Sequence, residues 1–96
     1  MTTREEYIDK AEKQLRDWNR KINQYQRRAE KSSKELQAKF NKRSREIKKK
    51  RAELQKKLEK MKESSASTYD RLKKDSERLW DDIKTGYNDL EKILSD

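Results

Sequence analysis

The stretch Ser64-Ser65-Ala66-Ser67-Thr68 decides how this chain is read as a fold. It is the clearest interruption in a sequence otherwise built of strong helix formers. Serine and threonine side chains compete for backbone hydrogen bonds, so they favour caps over helix interiors. Ser67-Thr68-Tyr69-Asp70 can open a new helix, with Asp70 in its first turn. A second candidate break, Lys31-Ser32-Ser33-Lys34-Glu35, also fits a capping box, but no turn residue flanks it. Taking residues 64–68 as the bend predicts an all-α, coiled-coil-like chain. A long helix over about 3–63 precedes a shorter one over about 67–94, folded back as an antiparallel hairpin.

Composition leads the same way. Of the 96 residues, 28% are hydrophobic and 49% charged, too few apolar groups for an ordinary globule. Such a chain is either disordered or forms long helices that bury one narrow stripe. With no proline and a single glycine, Gly86, long helices are the better reading. Thr3-Arg4-Glu5-Glu6 fits an opening capping box.

Two apolar patterns run along the chain. Ile8, Ala11, Leu15, Trp18, Ile22, Tyr25, Ala29, Ser32 and Leu36 alternate in steps of three and four, a heptad seam. Further on, Phe40, Ile47, Leu54 and Met61 recur every seven residues. Others recur every eleven, as Leu36, Ile47, Leu58, Tyr69 and Trp80 do. An eleven-residue repeat keeps a stripe nearly straight on an undistorted helix.

In a hairpin, facing residues have a constant index sum. A sum of 130 sets Leu58 against Leu72, Ile47 against Ile83, Phe40 against Leu90 and Leu36 against Leu94. It sets Ser44 against Gly86, and the acidic Asp81 and Asp82 opposite Lys48 to Lys50. Residues 1–35 then lack an intrachain partner. Their seam, Ile8, Leu15, Trp18, Ile22 and Tyr25, predicts association with other copies, because large aromatic groups are costly to leave in water. The alternative is a break at Ser32-Ser33 and a three-helix bundle. Index sums near 65 would then bring Leu15 and Ile22 against Lys50 and Arg43, which counts against it. The expected layout is one domain: an oligomerising arm over 1–35, a basic helix over 36–63, the bend at 64–68, and an acidic, aromatic return helix over 69–96.

Charge is uneven. The chain carries +9 overall. Residues 36–63 hold twelve Lys/Arg and four Asp/Glu, whereas residues 64–96 hold six and eight. The candidate polyanion contacts are Lys42, Arg45, Lys48, Lys49, Lys50 and Arg51, within the basic segment 39–62. Four consecutive helical residues, Lys48 to Arg51, point all round the axis and form a belt rather than a stripe. Trp18 and Trp80 lie on periodic stripes and are read as core rather than as stacking platforms.

Without cysteine or histidine, disulfides, thiolate chemistry, zinc sites and histidine catalysis are excluded. No glycine-rich loop or nucleophile beside a base appears, so no enzyme, cofactor or small-molecule substrate is expected. No apolar run suggests a signal peptide or a membrane span, and a soluble cytoplasmic protein is the expectation.

Two segments carry a resemblance. Thr3-Arg4-Glu5-Glu6-Tyr7 with Gln14-Leu15-Arg16-Asp17-Trp18-Asn19 is one; Ser64-Ser65-Ala66 with Leu79-Trp80-Asp81-Asp82-Ile83-Lys84 is the other. Together they resemble a family of short bacterial coiled-coil proteins labelled as stress-response proteins. The resemblance implies a stress-related role and no particular binding residue; with the seam above, the expectation is a self-associating structural or interaction protein. The basic middle supplies the alternative, an electrostatic binder of nucleic acid or an anionic membrane surface.

Overall fold

A computed structural model describes residues 3–95. Among them are three helices, α1 (Arg4–Glu30), α2 (Lys34–Glu63) and α3 (Ala66–Ser95), and no strand. They run up, down and up in a bundle of 49 × 18 × 17 Å. Its long dimension matches one helix of 30 residues at about 1.5 Å per residue.

Each helix starts where a hydroxyl can cap it. Thr3 Oγ1 accepts from Glu6 N at 3.1 Å to open α1, with Glu5 and Glu6 in the first turn and Arg27 and Arg28 in the last. Those charges complement the helix dipole. Ser33, extended at φ −62° and ψ 160°, accepts from Leu36 N at 3.3 Å to open α2. Gln37 Nε2 reaches back to the carbonyls of Glu30 and Ser32, at 3.0 and 3.1 Å, and clasps the two helix ends together. At the second turn, Ser65 Oγ accepts from Thr68 N, and Arg4 Nη1 donates to Ser64 O at 2.8 Å.

The expected unbroken helix over 3–63 is therefore corrected. It stops at Lys31 and restarts at Lys34, and α1 folds back to make a three-helix bundle instead of a two-helix hairpin with a projecting arm. The cause lies in the serine cap: Ser33 caps α2, Ser32 bonds back to Arg28 O, and Gln37 donates to the carbonyls of Glu30 and Ser32, all without glycine or a positive φ.

The seam expected to bind other copies has partners within the chain. Ile8, Ala11, Leu15, Ile22, Tyr25 and Ala29 form one core with residues of α2 and α3, and Trp18 packs half-buried against it. Ile22 is 1% exposed. The objection from Leu15 and Ile22 fails because a helix in a three-helix bundle faces two neighbours at once. Lys50 and Arg43 turn sideways to acidic residues of α3 and leave the apolar centre free.

Helices α2 and α3 are antiparallel, but their register lies beyond the expected sum of 130. Gly86 meets Ile47 rather than Ser44. Arg43–Asp89, Lys50–Asp82 and Lys57–Asp75 all pair at a sum of 132. Phe40, Ile47, Leu58, Ile83 and Leu90 are buried, whereas Leu36, Leu72 and Leu94 are half-buried near the bundle ends. Ser44 and Ser76 are buried too; Ser76 Oγ donates to Leu72 O at 2.8 Å and faces Met61.

Parallel helices α1 and α3 are wedged together by aromatic rings. Trp18 meets Trp80 edge-on at 5.3 Å between centroids and Tyr87 at 4.4 Å. The Tyr87 hydroxyl donates to Trp18 O at 2.7 Å. Tyr25 donates to Glu91 Oε1 at the C-terminal end of the wedge. No helix here is long and apolar enough to cross a membrane.

Candidate functional site

The bundle sorts the cations of α2 into three groups by direction. The first group points at α3. Arg43, Lys50 and Lys57 recur every seven residues and meet Asp89, Asp82 and Asp75 at 2.8, 2.8 and 3.5 Å. Arg43 also bonds Glu46, one turn on. Its guanidinium is held above its ordinary range first by that bond and then by Asp89.

The second group turns toward α1 and the aromatic wedge. Lys62 Nζ stands 2.9 Å from Glu12 Oε1, an oxygen that is itself buried. The contact is a close ion pair rather than an aligned hydrogen bond, and it raises the Lys62 pKa. Arg51 is half-buried close to the Tyr87 hydroxyl. Burial drives that hydroxyl up to about 12, against the opposing pull of Arg51.

The third group points outward. Lys42, Arg45, Lys49, Lys56 and Lys60 are all exposed, and none makes an ion pair among the described residues. At about 100° per residue they share a sector about 60° wide, roughly opposite Phe40, Ile47, Leu54 and Leu58. The row is about 27 Å long at about 1.5 Å per residue. Ala52 and Glu53, both exposed, border it on either side, and Glu63 follows Lys60 in the same sector.

The expected contacts are thus divided. Lys42, Arg45 and Lys49 belong to the outward row, and Lys48 is exposed on its α1 side. Lys50 and Arg51 do not belong; one is paired with Asp82 and the other lies beside Tyr87. The expected belt is a stripe, because neighbouring helices occupy the other directions. Lys56 and Lys60 were not singled out, although the seven-residue step through Lys42, Lys49 and Lys56 is visible in the sequence. Of the acidic pair, Asp82 reaches Lys50, whereas Asp81 is exposed without an ion pair among the described residues.

A similar row lies on α1 and its C-cap, where Lys13, Arg16, Arg20, Arg27 and Lys31 are exposed and unpaired among the described residues. The outer face of α3 differs: Asp70 and Asp81 stand among Lys74, Arg78 and Lys92. Positive charge is therefore densest on the outer faces of α2 and α1. The clefts are shallow. A groove between α1 and α3 near Tyr7, Trp80 and Lys84 has a volume of about 310 Å³ and is lined by both charge signs, including Lys10, Glu77 and Asp81. No family model, curated protein or solved structure matches the chain.

Proposed function

We propose that this chain is a non-enzymatic binding protein that docks polyanions on the outward face of α2. The observation behind this reading is the division of labour among the α2 cations. A seven-residue ladder neutralises the side facing α3, and five cations on the outer side remain unpaired among the described residues. A row of one sign, opposite the core, concentrates positive potential along a line.

The self-associating reading has less support than it had from sequence. Its seam, Ile8 to Tyr25, already has apolar partners within the chain. The stress-protein reading rests only on the resemblance.

Binding to heparin across a salt series tests the proposal. Affinity should fall steeply as salt rises. Charge reversal at Lys49 and Lys56 should weaken binding with helicity unchanged by circular dichroism. Binding insensitive to salt, or unaffected by the two reversals, would refute an electrostatic site on α2.

A further inference from the structure

We infer that the polyanion is double-stranded nucleic acid, held through its phosphates along the α2 row and without sequence preference. This rests on the polyanion reading above and narrows it by what the exposed face offers and what it withholds.

The face withholds aromatic rings. Proteins that grip single strands stack unpaired bases on exposed aromatic side chains. Here Tyr25, Phe40, Trp80 and Tyr87 are buried, and Trp18 is held against Trp80 and Tyr87. The two remaining rings are half-buried and covered by cations: Lys73 lies over Tyr7 at 5.0 Å and Arg4 over Tyr69 at 4.7 Å. None of the seven rings stands beside the α2 row.

The face also withholds apolar surface. A helix that lies in a bilayer interface buries its apolar side among acyl chains. The apolar side of α2, from Phe40 through Ile47, Leu54 and Leu58 to Met61, is closed inside the bundle at 0–2% exposure. Between Lys42 and Lys60 no apolar residue lies within the outward row and only Ala52 borders it, so a membrane would be held by charge alone.

What the face offers is a straight, rigid line of charge. Five cations span about 27 Å, and a duplex presents one phosphate charge per about 1.7 Å of its axis. A duplex is stiff over far greater lengths than this, so along the row it presents a nearly straight array of phosphate charge. Lysine and arginine on phosphate fix position without reading bases. The row on α1 adds further cations without adding a base-reading group.

The test compares a short DNA duplex, one of its strands alone, and phosphatidylserine vesicles with the full chain over a range of salt. The duplex should bind most tightly. Its log–log salt slope should be about −4 to −5, from five contacts at about −0.9 each. A second duplex of different sequence should bind equally. In the triple variant R45Q/K49Q/K56Q the slope should become shallower by about 2.7, whereas K74Q on α3 should leave it unchanged. Tighter binding to the single strand overturns the inference. Tighter binding to vesicles overturns it too, yet leaves the polyanion reading intact. If none of the three probes binds in low salt, the inference and the reading beneath it fail together. A slope unchanged in the triple variant removes the site from α2.

Discussion

Ile47 occupies the space that a side chain at Gly86 would need. A Cβ built on Gly86 would lie 2.5 Å from Ile47 Cγ1 and 2.8 Å from its Cδ1. Gly86 sits inside α3 with ordinary helical backbone, so its role is close approach rather than an unusual φ. Two effects then oppose each other in Gly86→Ala. Helix propensity favours alanine by about 1 kcal/mol, and overpacking costs about 1–3 kcal/mol. The clash is with the stem of a β-branched side chain, not with a flexible tip, so overpacking should win. G86A should lower stability by about 1 kcal/mol in urea unfolding. In an I47A background the obstruction is gone, and the same substitution should stabilise. Equal effects in both backgrounds would contradict the packing account.

The three-rung ladder should select register more than it contributes stability. Lys50 and Asp82 are 2.8 Å apart, yet their side chains are 40% and 52% exposed. Solvent screening limits such a pair to about 0.2–1 kcal/mol. A double-mutant cycle with K50A and D82A should return a coupling within that range. All three aspartates changed together, D75N/D82N/D89N, should leave the fold intact and free Lys50 and Lys57, while Arg43 keeps Glu46. Polyanion affinity measured at matched salt should therefore rise. A fall in affinity would show that the ladder positions the row instead of merely neutralising its flank.

The helical class was legible in the sequence, and the path of the chain was only partly so. Periodicity placed Phe40, Ile47, Leu58, Ile83 and Leu90 on buried stripes, where they lie. The heptad seam of α1 was equally visible, but a seam does not say whether its partner is another copy or the same chain. That choice hung on Ser32-Ser33, a break without glycine or proline. Its decisive contact, Gln37 reaching back to Glu30 O, has no local sequence signature. Register was misjudged for a related reason. Pairing Ser44 with Gly86 assumed that small residues meet, whereas a large residue, Ile47, fills the glycine gap. The basic block was legible as composition. Its direction was not, because the facing of Lys50 and Arg51 depends on where α1 and α3 pack.

The α1 seam makes a direct prediction about folding. Ile22 is 1% exposed, and the core it joins includes residues of all three helices. Ile22→Ala should cost about 2–5 kcal/mol through lost transfer energy and the cavity left behind. If the seam closes within one chain, the loss in thermal midpoint should be the same at any protein concentration, since no association equilibrium contributes. A midpoint that rises with concentration, together with a doubled mass in light scattering, would mean that α1 docks on a second copy.

Alkaline pH should loosen the wedge between α1 and α3, and the direction follows from two tyrosines. Tyr25 is raised from its ordinary 10 to about 12, first by burial and then by its hydrogen bond to Glu91. Tyr87 is raised to about 12 by burial, against the opposing pull of Arg51. A group whose folded pKa lies above its unfolded value contributes its full stability below the unfolded value. Both hydroxyls are then protonated in either state below about pH 10. Between about 10 and about 12 the unfolded chain releases these protons and the folded chain does not, so stability falls across that window. The difference between variants is the useful quantity. Y25F and Y87F should each show a smaller loss of stability than the parent between those limits. E91Q removes the carboxylate that helps hold the Tyr25 proton, so near-ultraviolet titration should find one tyrosine ionising at lower pH. If all four tyrosines titrated together near 10 in the folded parent, the aromatic wedge would be open to water and this account of its packing would be wrong.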